Sequence, residues 1–269
     1  MHTLPFSASP FRLFVVLLSA GVLLSSCSAP SIERGAGLRE PLRGSRQLIV
    51  VVTSSWESPQ GALQFFTRTD DSFQWTPAGE RSALTVGSKG LGWGTGVHGG
   101  ALGDGPVKRE GDNRSPAGVF GLSAIYGYAA EGPSFRMPYI PLDSTVECVD
   151  DPGSKYYNMI IDRQNVERVD WTSSERMRFA GHEYQWGVVV EHNTNPRIPG
   201  DGSCIFLHIW GGPGAATTGC TALSEDGLVQ ILGILDPAAK PMLVQLPRSE
   251  YERLKSAWHL PEIGTASSP

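Results

Sequence analysis

Apolar positions along this chain follow two rhythms. From residue 46 onward, short β-branched or aromatic runs recur between Gly and Pro punctuation, at 48–53, 62–67, 73–76, 83–86, 119–122, 156–162, 185–192, 205–210 and 242–246. Many short strands at this spacing predict a mainly β fold, a sandwich or a barrel. The second rhythm is helical. Ser224 is placed to cap a helix over 225–235, with Glu225 and Asp226 in its first turn, where the helix dipole favours acids, and Pro237 after its end. Residues 248–258 form the second helical stretch. No internal repeat and no domain boundary interrupts 46–260, so one domain is expected there.

The first residues follow neither rhythm. Arg12 precedes an apolar run, 13–24, which is shorter than the roughly 20 apolar residues a stable transmembrane anchor requires. Its length and flanks fit a secretory signal. Leu24-Ser25-Ser26-Cys27 has the form of a bacterial lipoprotein box, in which the cysteine is lipidated before cleavage. The plainer alternative is an ordinary signal peptide with a cysteine nearby. Ser28 stands where an aspartate would signal inner-membrane retention, so the expected address is the outer membrane, facing the periplasm. Residues 1–26 are thus expected to be a lipoprotein signal peptide, and 27–45, rich in Ser, Gly, Pro and Arg, a linker. Residues 261–269 read as a flexible tail. Lipid on Cys27 would hold the protein to a membrane without a spanning helix.

Composition narrows the function classes. With 22 basic and 27 acidic residues the chain is mildly acidic, so no nucleic-acid partner is implied. Thirty-two Gly and 20 Pro stay below the roughly 25–30% that marks a disordered chain, and 7 Trp, 7 Tyr and 10 Phe can furnish a core. Gly90-Leu91-Gly92-Trp93-Gly94-Thr95-Gly96 has the bare glycine spacing of a nucleotide loop but no clear following helix, so it reads as a turn. The six His show no i, i+4 pair and the cysteines do not cluster, so no metal site of known spacing is expected.

Once Cys27 is set aside, Cys148, Cys204 and Cys220 remain, and an odd count in an oxidising compartment points to one pair and one free thiol. The run from Cys204 to Trp210 reads as a strand whose side chains alternate. Ile205, Leu207 and Ile209 share one face; Cys204, Phe206, His208 and Trp210 share the other. Four strand residues place Cys204 roughly 13 Å from His208. Cys220 sits in a loop of small residues returning from that strand, beside Gly219, whose backbone can approach a substrate closely. An imidazole that stabilises a thiolate makes a nucleophile, and backbone N–H groups near Gly219 and Cys220 can steady an oxyanion. A buried strand histidine with a structural cysteine is the competing reading.

The wording of this segment resembles a known family. Ile205-Phe206-Leu207-His208-Ile209, a glycine-rich loop, Thr218-Gly219-Cys220 and a following helix resemble the catalytic signature of the L,D-transpeptidases, envelope enzymes that cross-link peptidoglycan stem peptides. Arg114-Ser115-Pro116-Ala117-Gly118-Val119-Phe120 resembles their Thr-Pro-x-Gly-x-Phe strand. The segment 185–193 looks like the strand before the catalytic one, and the resemblance spans roughly 82–247.

The resemblance implies a mainly β catalytic domain of mixed sheets with a helix after the cysteine. It makes Cys220 the nucleophile and His208 its base, oriented by the Ile209 carbonyl, with Thr218 and Gly219 as backbone support. The thiolate would attack the carbonyl of a stem's third residue and expel the terminal D-alanine, and an amine from another stem would resolve the acyl-enzyme. No cofactor is implied. Thr218 replaces the family's usual His, Ala222 its usual Asn or Arg, and the interval from His208 to Cys220 is short. L,D-carboxypeptidase or endopeptidase hydrolysis therefore stays open beside transfer, as does a catalytically silent envelope-binding lipoprotein. The cysteine expectation is a Cys148–Cys204 disulfide with Cys220 free.

Overall fold

The computed structural model describes residues 1–2, 40–69, 72–132 and 134–264. Its centre is a closed ring of eight strands. In chain order these are β1 (Gln47–Thr53), β2 (Gln60–Thr67), β4 (Ser82–Thr85), β6 (Ser115–Gly127), β11 (Trp186–Val190), β12 (Phe206–Ile209), β13 (Thr221–Leu223) and β14 (Met242–Pro247). They are hydrogen-bonded in the order β1-β14-β6-β11-β12-β13-β4-β2, and β2 pairs again with β1 to close a barrel-like sheet. The sheet is mixed, because β1 runs parallel to β14 and β12 parallel to β13 while the other ring pairs are antiparallel. Closure leaves none of these eight strands as a free edge. The short strands β3 (Thr76–Pro77), β5 (Leu91–Trp93) and β7 (Tyr139–Pro141) attach to β2 and β6. A separate small sheet holds β8 (Val146–Cys148) between β9 (Ile160–Asp162) and β10 (Glu175–Arg176).

Two helices cover the apolar strands. Helix α1 (Glu225–Ile234) packs against β11 and β12, and α2 (Arg248–Trp258) against β14 and β1. Ser224 caps α1 by accepting the Gly227 N–H, and the backbone leaves the helix at Leu235, two residues before Pro237. Helix α2 buries Tyr251, Leu254 and Trp258 and ends at His259, which adopts a left-handed conformation. Because α2 lies over β1 and β14, every residue of both strands is buried, which explains their near-continuous apolar sequences.

Strand β12 divides the apolar side chains into two clusters, as its alternation predicts. Ile205, Leu207 and Ile209 join the large core. Cys204 and Phe206 join a smaller one with Tyr126, Cys148, Tyr184 and Cys220.

Several expectations change. The run 73–76 contributes only the start of the two-residue β3, and 119–122 is the middle of the thirteen-residue β6. In 156–162 the strand begins at Ile160, because Asn158 adopts a left-handed conformation and the preceding residues form turns. The glycine-rich 90–96 segment contains β5, with Trp93 buried. The end of the expected linker is packed rather than free. Leu42 and Ser45 are buried, and the Arg68 guanidinium donates to both their carbonyls at 2.6 Å. Pro261, assigned to the tail, is also buried and accepts the Tyr251 hydroxyl at 2.7 Å.

Candidate active site around Cys220

The parallel pairing of β12 with β13 sets the geometry. Leu207 lies beside Thr221 and His208 beside Ala222, so Cys220 enters level with Phe206, two residues short of His208. The connecting loop, 211–218, is largely exposed, while Gly219 and Cys220 are buried. The Cys220 carbonyl is fixed by two hydroxyls, Ser115 at 2.8 Å and Thr217 at 2.5 Å. Ser115 in turn accepts the Gly87 N–H at 2.8 Å. The strand that resembles the Thr-Pro-x-Gly-x-Phe segment therefore positions the cysteine through its first residue, Ser115.

The sulfur has two backbone partners. The Phe206 N–H donates to Sγ at 3.3 Å, and the thiol donates to the Cys204 carbonyl at 3.4 Å. Cys204 is held in place from both sides of its own backbone. It forms a disulfide with Cys148, and its N–H donates to Asn158 Oδ1 at 2.9 Å. Cys220 is the free cysteine. The pairing expected from the sequence is thus the pairing present.

Cys148 also ties down the small sheet. In the β8–β10 ladder Glu175 lies directly opposite Cys148, and opposed residues of an antiparallel pair project to the same face. Glu175 consequently reaches the wall of a cavity of about 350 Å³ whose lining includes Cys220, Gly219, Thr218, Lys108, Glu110 and Asp150. Lys108 is buried and paired with Asp112 at 2.6 Å.

His208 is buried on the same side of β12 as Phe206. Its Nδ1 donates to the Ile209 carbonyl at 2.7 Å, so Nε2 is left without a proton in the neutral ring. Burial pushes the imidazole down to about 4, against the opposing effect of the Ile209 carbonyl and Glu183. No hydrogen bond joins His208 to Cys220 among the described residues. Tyr184 shares the smaller apolar cluster with Cys220. Its ring meets the His208 ring edge-on at 5.0 Å, and its hydroxyl donates to Glu175.

The electrostatics follow from this enclosure. Burial, and then the Glu175 charge, push the thiol well above its ordinary range, while the Phe206 N–H, Tyr184 and Lys108 act in the other direction. Burial raises Glu175 to about 7, with Asp150 and Glu110 adding to the effect and Tyr184 opposing it. In the resting site the thiol and the phenol are neutral.

Thr218 and Gly219 line the cavity as expected, but the Gly219 N–H already donates to the Thr217 hydroxyl at 3.2 Å. Cys27 lies outside the described residues. Tyr184, Glu175, Lys108 and the Phe206 N–H carried no signal in the sequence, apart from the position of Tyr184 just before β11. Among the described residues, no helix is long and apolar enough to cross a membrane, and no three His, Cys, Asp or Glu are grouped to hold a metal ion. Comparison of the chain with protein-family models, curated proteins and solved structures finds no match.

Proposed function

We propose that this protein is an L,D-transpeptidase-like acyltransferase of the cell envelope that acts on peptidoglycan stem peptides through Cys220. The observation that carries the reading is a free thiol on the wall of a cavity, receiving a backbone N–H at sulfur, with an imidazole of fixed tautomer on the adjacent strand. The Ile209 carbonyl occupies the orienting role that the sequence resemblance assigns to it. In the reaction the thiolate forms a C–S bond to the stem carbonyl, the amide C–N bond breaks, and the departing amine takes a proton. An incoming amine then reverses these steps on the thioester, with His208 exchanging protons with the two amines. Gly219 can serve the oxyanion only by giving up its bond to Thr217.

Two features favour transfer in an exported protein. Glu110, Asp150 and Glu175 outnumber Lys108 on the cavity wall, which suits an amine-bearing acceptor. A disulfide persists in an oxidising compartment, in keeping with the signal and lipidation reading of residues 1–27.

Intact-mass measurement tests the reading. A stem tetrapeptide, or a carbapenem, should leave an acyl adduct on the Cys220 peptide. Cys220→Ser should abolish it, and His208→Ala should slow it at pH 7. Adducts on Cys148 or Cys204, or none at all, would leave the silent lipoprotein as the better account.

A further inference from the structure

We propose that Lys108 is the carboxylate-recognition residue of the Cys220 cavity: its ammonium takes the C-terminal carboxylate of a bound peptide, so that the site selects acyl donors ending in a free acid. The inference rests on the reading of Cys220 as the nucleophile for its place in the reaction. The binding itself involves no covalent step.

Burial comes first. Lys108 is 4% exposed and lines the cavity of about 350 Å³ together with Gly219 and Cys220. A cation taken out of water needs acceptors, and this one has two, the Arg109 carbonyl at 2.7 Å and Asp112 Oδ1 at 2.6 Å. An ammonium carries three hydrogens, and among the described residues nothing accepts the third. Asp112 is not spent on Lys108 alone. Its carboxylate also accepts the Arg109 N–H at 2.7 Å and the Arg114 N–H at 2.9 Å, so its charge is shared among three donors. The pair therefore leaves positive charge at Nζ rather than cancelling it.

Two glycines put that charge within reach of a ligand. Gly202 has φ +99°, and a Cβ there would lie 3.0 Å from Lys108 Cε, so glycine lets the long side chain pass. At Gly219 an added Cβ would lie 3.9 Å from Nζ; its absence leaves the space between the ammonium and the backbone next to Cys220 open. Lys108 is the one cation among the described lining residues, and the acids beside it are already engaged. Glu110 Oε2 accepts the Tyr157 and Ser203 hydroxyls at 2.5 and 2.7 Å, Asp150 accepts the Ser173 hydroxyl, and Glu175 accepts that of Tyr184. The wall is thus divided. A carboxylate has one point of attachment, Lys108, while an incoming amine has the acids. In a donor peptide only the nitrogen and α-carbon of the leaving residue separate the terminal carboxylate from the scissile carbonyl. A carboxylate held on Lys108 therefore keeps that carbonyl in the cavity that Cys220 lines.

Calorimetric titration of the full chain carrying Cys220→Ser, so that binding is read without acylation, tests the site at pH 7. The probes are a stem tetrapeptide with a free C-terminal acid and the same peptide as its C-terminal carboxamide. The acid should bind at least about tenfold more tightly, the usual worth of a hydrogen bond between charged groups. Adding Lys108→Met and Asp112→Asn together removes both charges of the pair at once, and the preference should fall to about one. Equal affinity for acid and carboxamide in the protein that keeps Lys108 overturns the proposal without recourse to that variant, as does failure to bind either peptide. A preference that survives the double replacement also overturns it, because the carboxylate then sits elsewhere. A parallel arm on the protein with Cys220 intact, read by intact mass, separates the two readings. Acyl adducts forming equally fast from both peptides refute the carboxylate site alone, whereas a tenfold binding preference with no adduct supports the site and refutes the transpeptidase assignment.

Discussion

Lowering the pH from 7 toward 4 charges histidines that this fold holds neutral. His98, His192 and His208 are 3%, 1% and 8% exposed, and burial pushes each imidazole down to about 4. His98 Nδ1 faces both the Val119 N–H at 3.1 Å and the Val119 carbonyl at 3.3 Å, and its Nε2 has no partner. His192 donates from Nε2 to the Asp201 carbonyl at 3.0 Å, and its Nδ1 has no partner. Because each folded value lies below the ordinary 6.5, the unfolded chain binds the proton between pH 6.5 and 4 while the folded chain does not. The stability these rings contribute is therefore present above 6.5 and lost as the pH falls through that window, by about 3 kcal/mol for each ring.

Glu175 has the opposite sign. Its folded value of about 7 lies above the ordinary 4.5, so it binds its proton more tightly in the folded state and gains stability as the pH falls, by about 3 kcal/mol. The net loss by pH 4 is about 6 kcal/mol, comparable to the whole stability of an ordinary domain. Near pH 5.3, unfolding should take up protons at three imidazoles and release one from Glu175, a net uptake of about two. Urea unfolding at intervals from pH 4.5 to 7.5 reads the slope, and calorimetry in buffers of different ionisation enthalpy counts the protons. A midpoint that stays flat across the window, or an uptake near zero, would refute the assignment of these rings as neutral.

The disulfide closes a separation of 56 residues, so replacing Cys148 and Cys204 by Ser should cost about 4 kcal/mol of stability in denaturant unfolding. Parent peptide maps should show Cys220 alkylated without reductant and the other two only after reduction; a bridge that includes Cys220 would contradict the fold. Gly118 has φ +142°, and an added Cβ would lie 2.0 Å from His98 Cε1, so Gly118→Ala should lose more than about 3 kcal/mol in the same assay. Gly233, in α1 with nothing within 4 Å of such a Cβ, serves as the control, since Gly233→Ala should gain about 0.5–1 kcal/mol.

Local patterns carried the parts of the fold that local physics decides. Helix α2 begins and ends where its spacing predicts, because Tyr251, Leu254 and Trp258 repeat on one face and Glu250 pairs with Arg253 on the other. The alternation from Cys204 to Ile209 separated the two cores because β12 is buried on both faces, so a slip of one residue would send Phe206 and His208 into the wrong cluster. Pairings that join distant segments left no such trace. Strand β13 is three residues long, and β10 is two, Glu175 and Arg176; neither is long enough to show a period. Barrel closure depends on β1 meeting β14 from the far end of the chain, where two apolar runs show no preference for one another.

The same difference separates the legible half of the candidate site from the hidden half. Cys220 and His208 lie on neighbouring strands joined by one loop, so their proximity follows from a local reading. Glu175 arrives by a longer route. The β8–β10 ladder sets it opposite Cys148, the disulfide sets Cys148 beside Cys204, and the Cys204 carbonyl accepts the Cys220 thiol. Each link joins segments that share no motif. Only the cysteine count hinted at the middle link. The disulfide is therefore more than a staple for the fold, since it spans the two halves of the site. Cutting it should loosen Glu175 from Tyr184 while leaving the β12–β13 pairing, and with it the register of Cys220 against Phe206, intact.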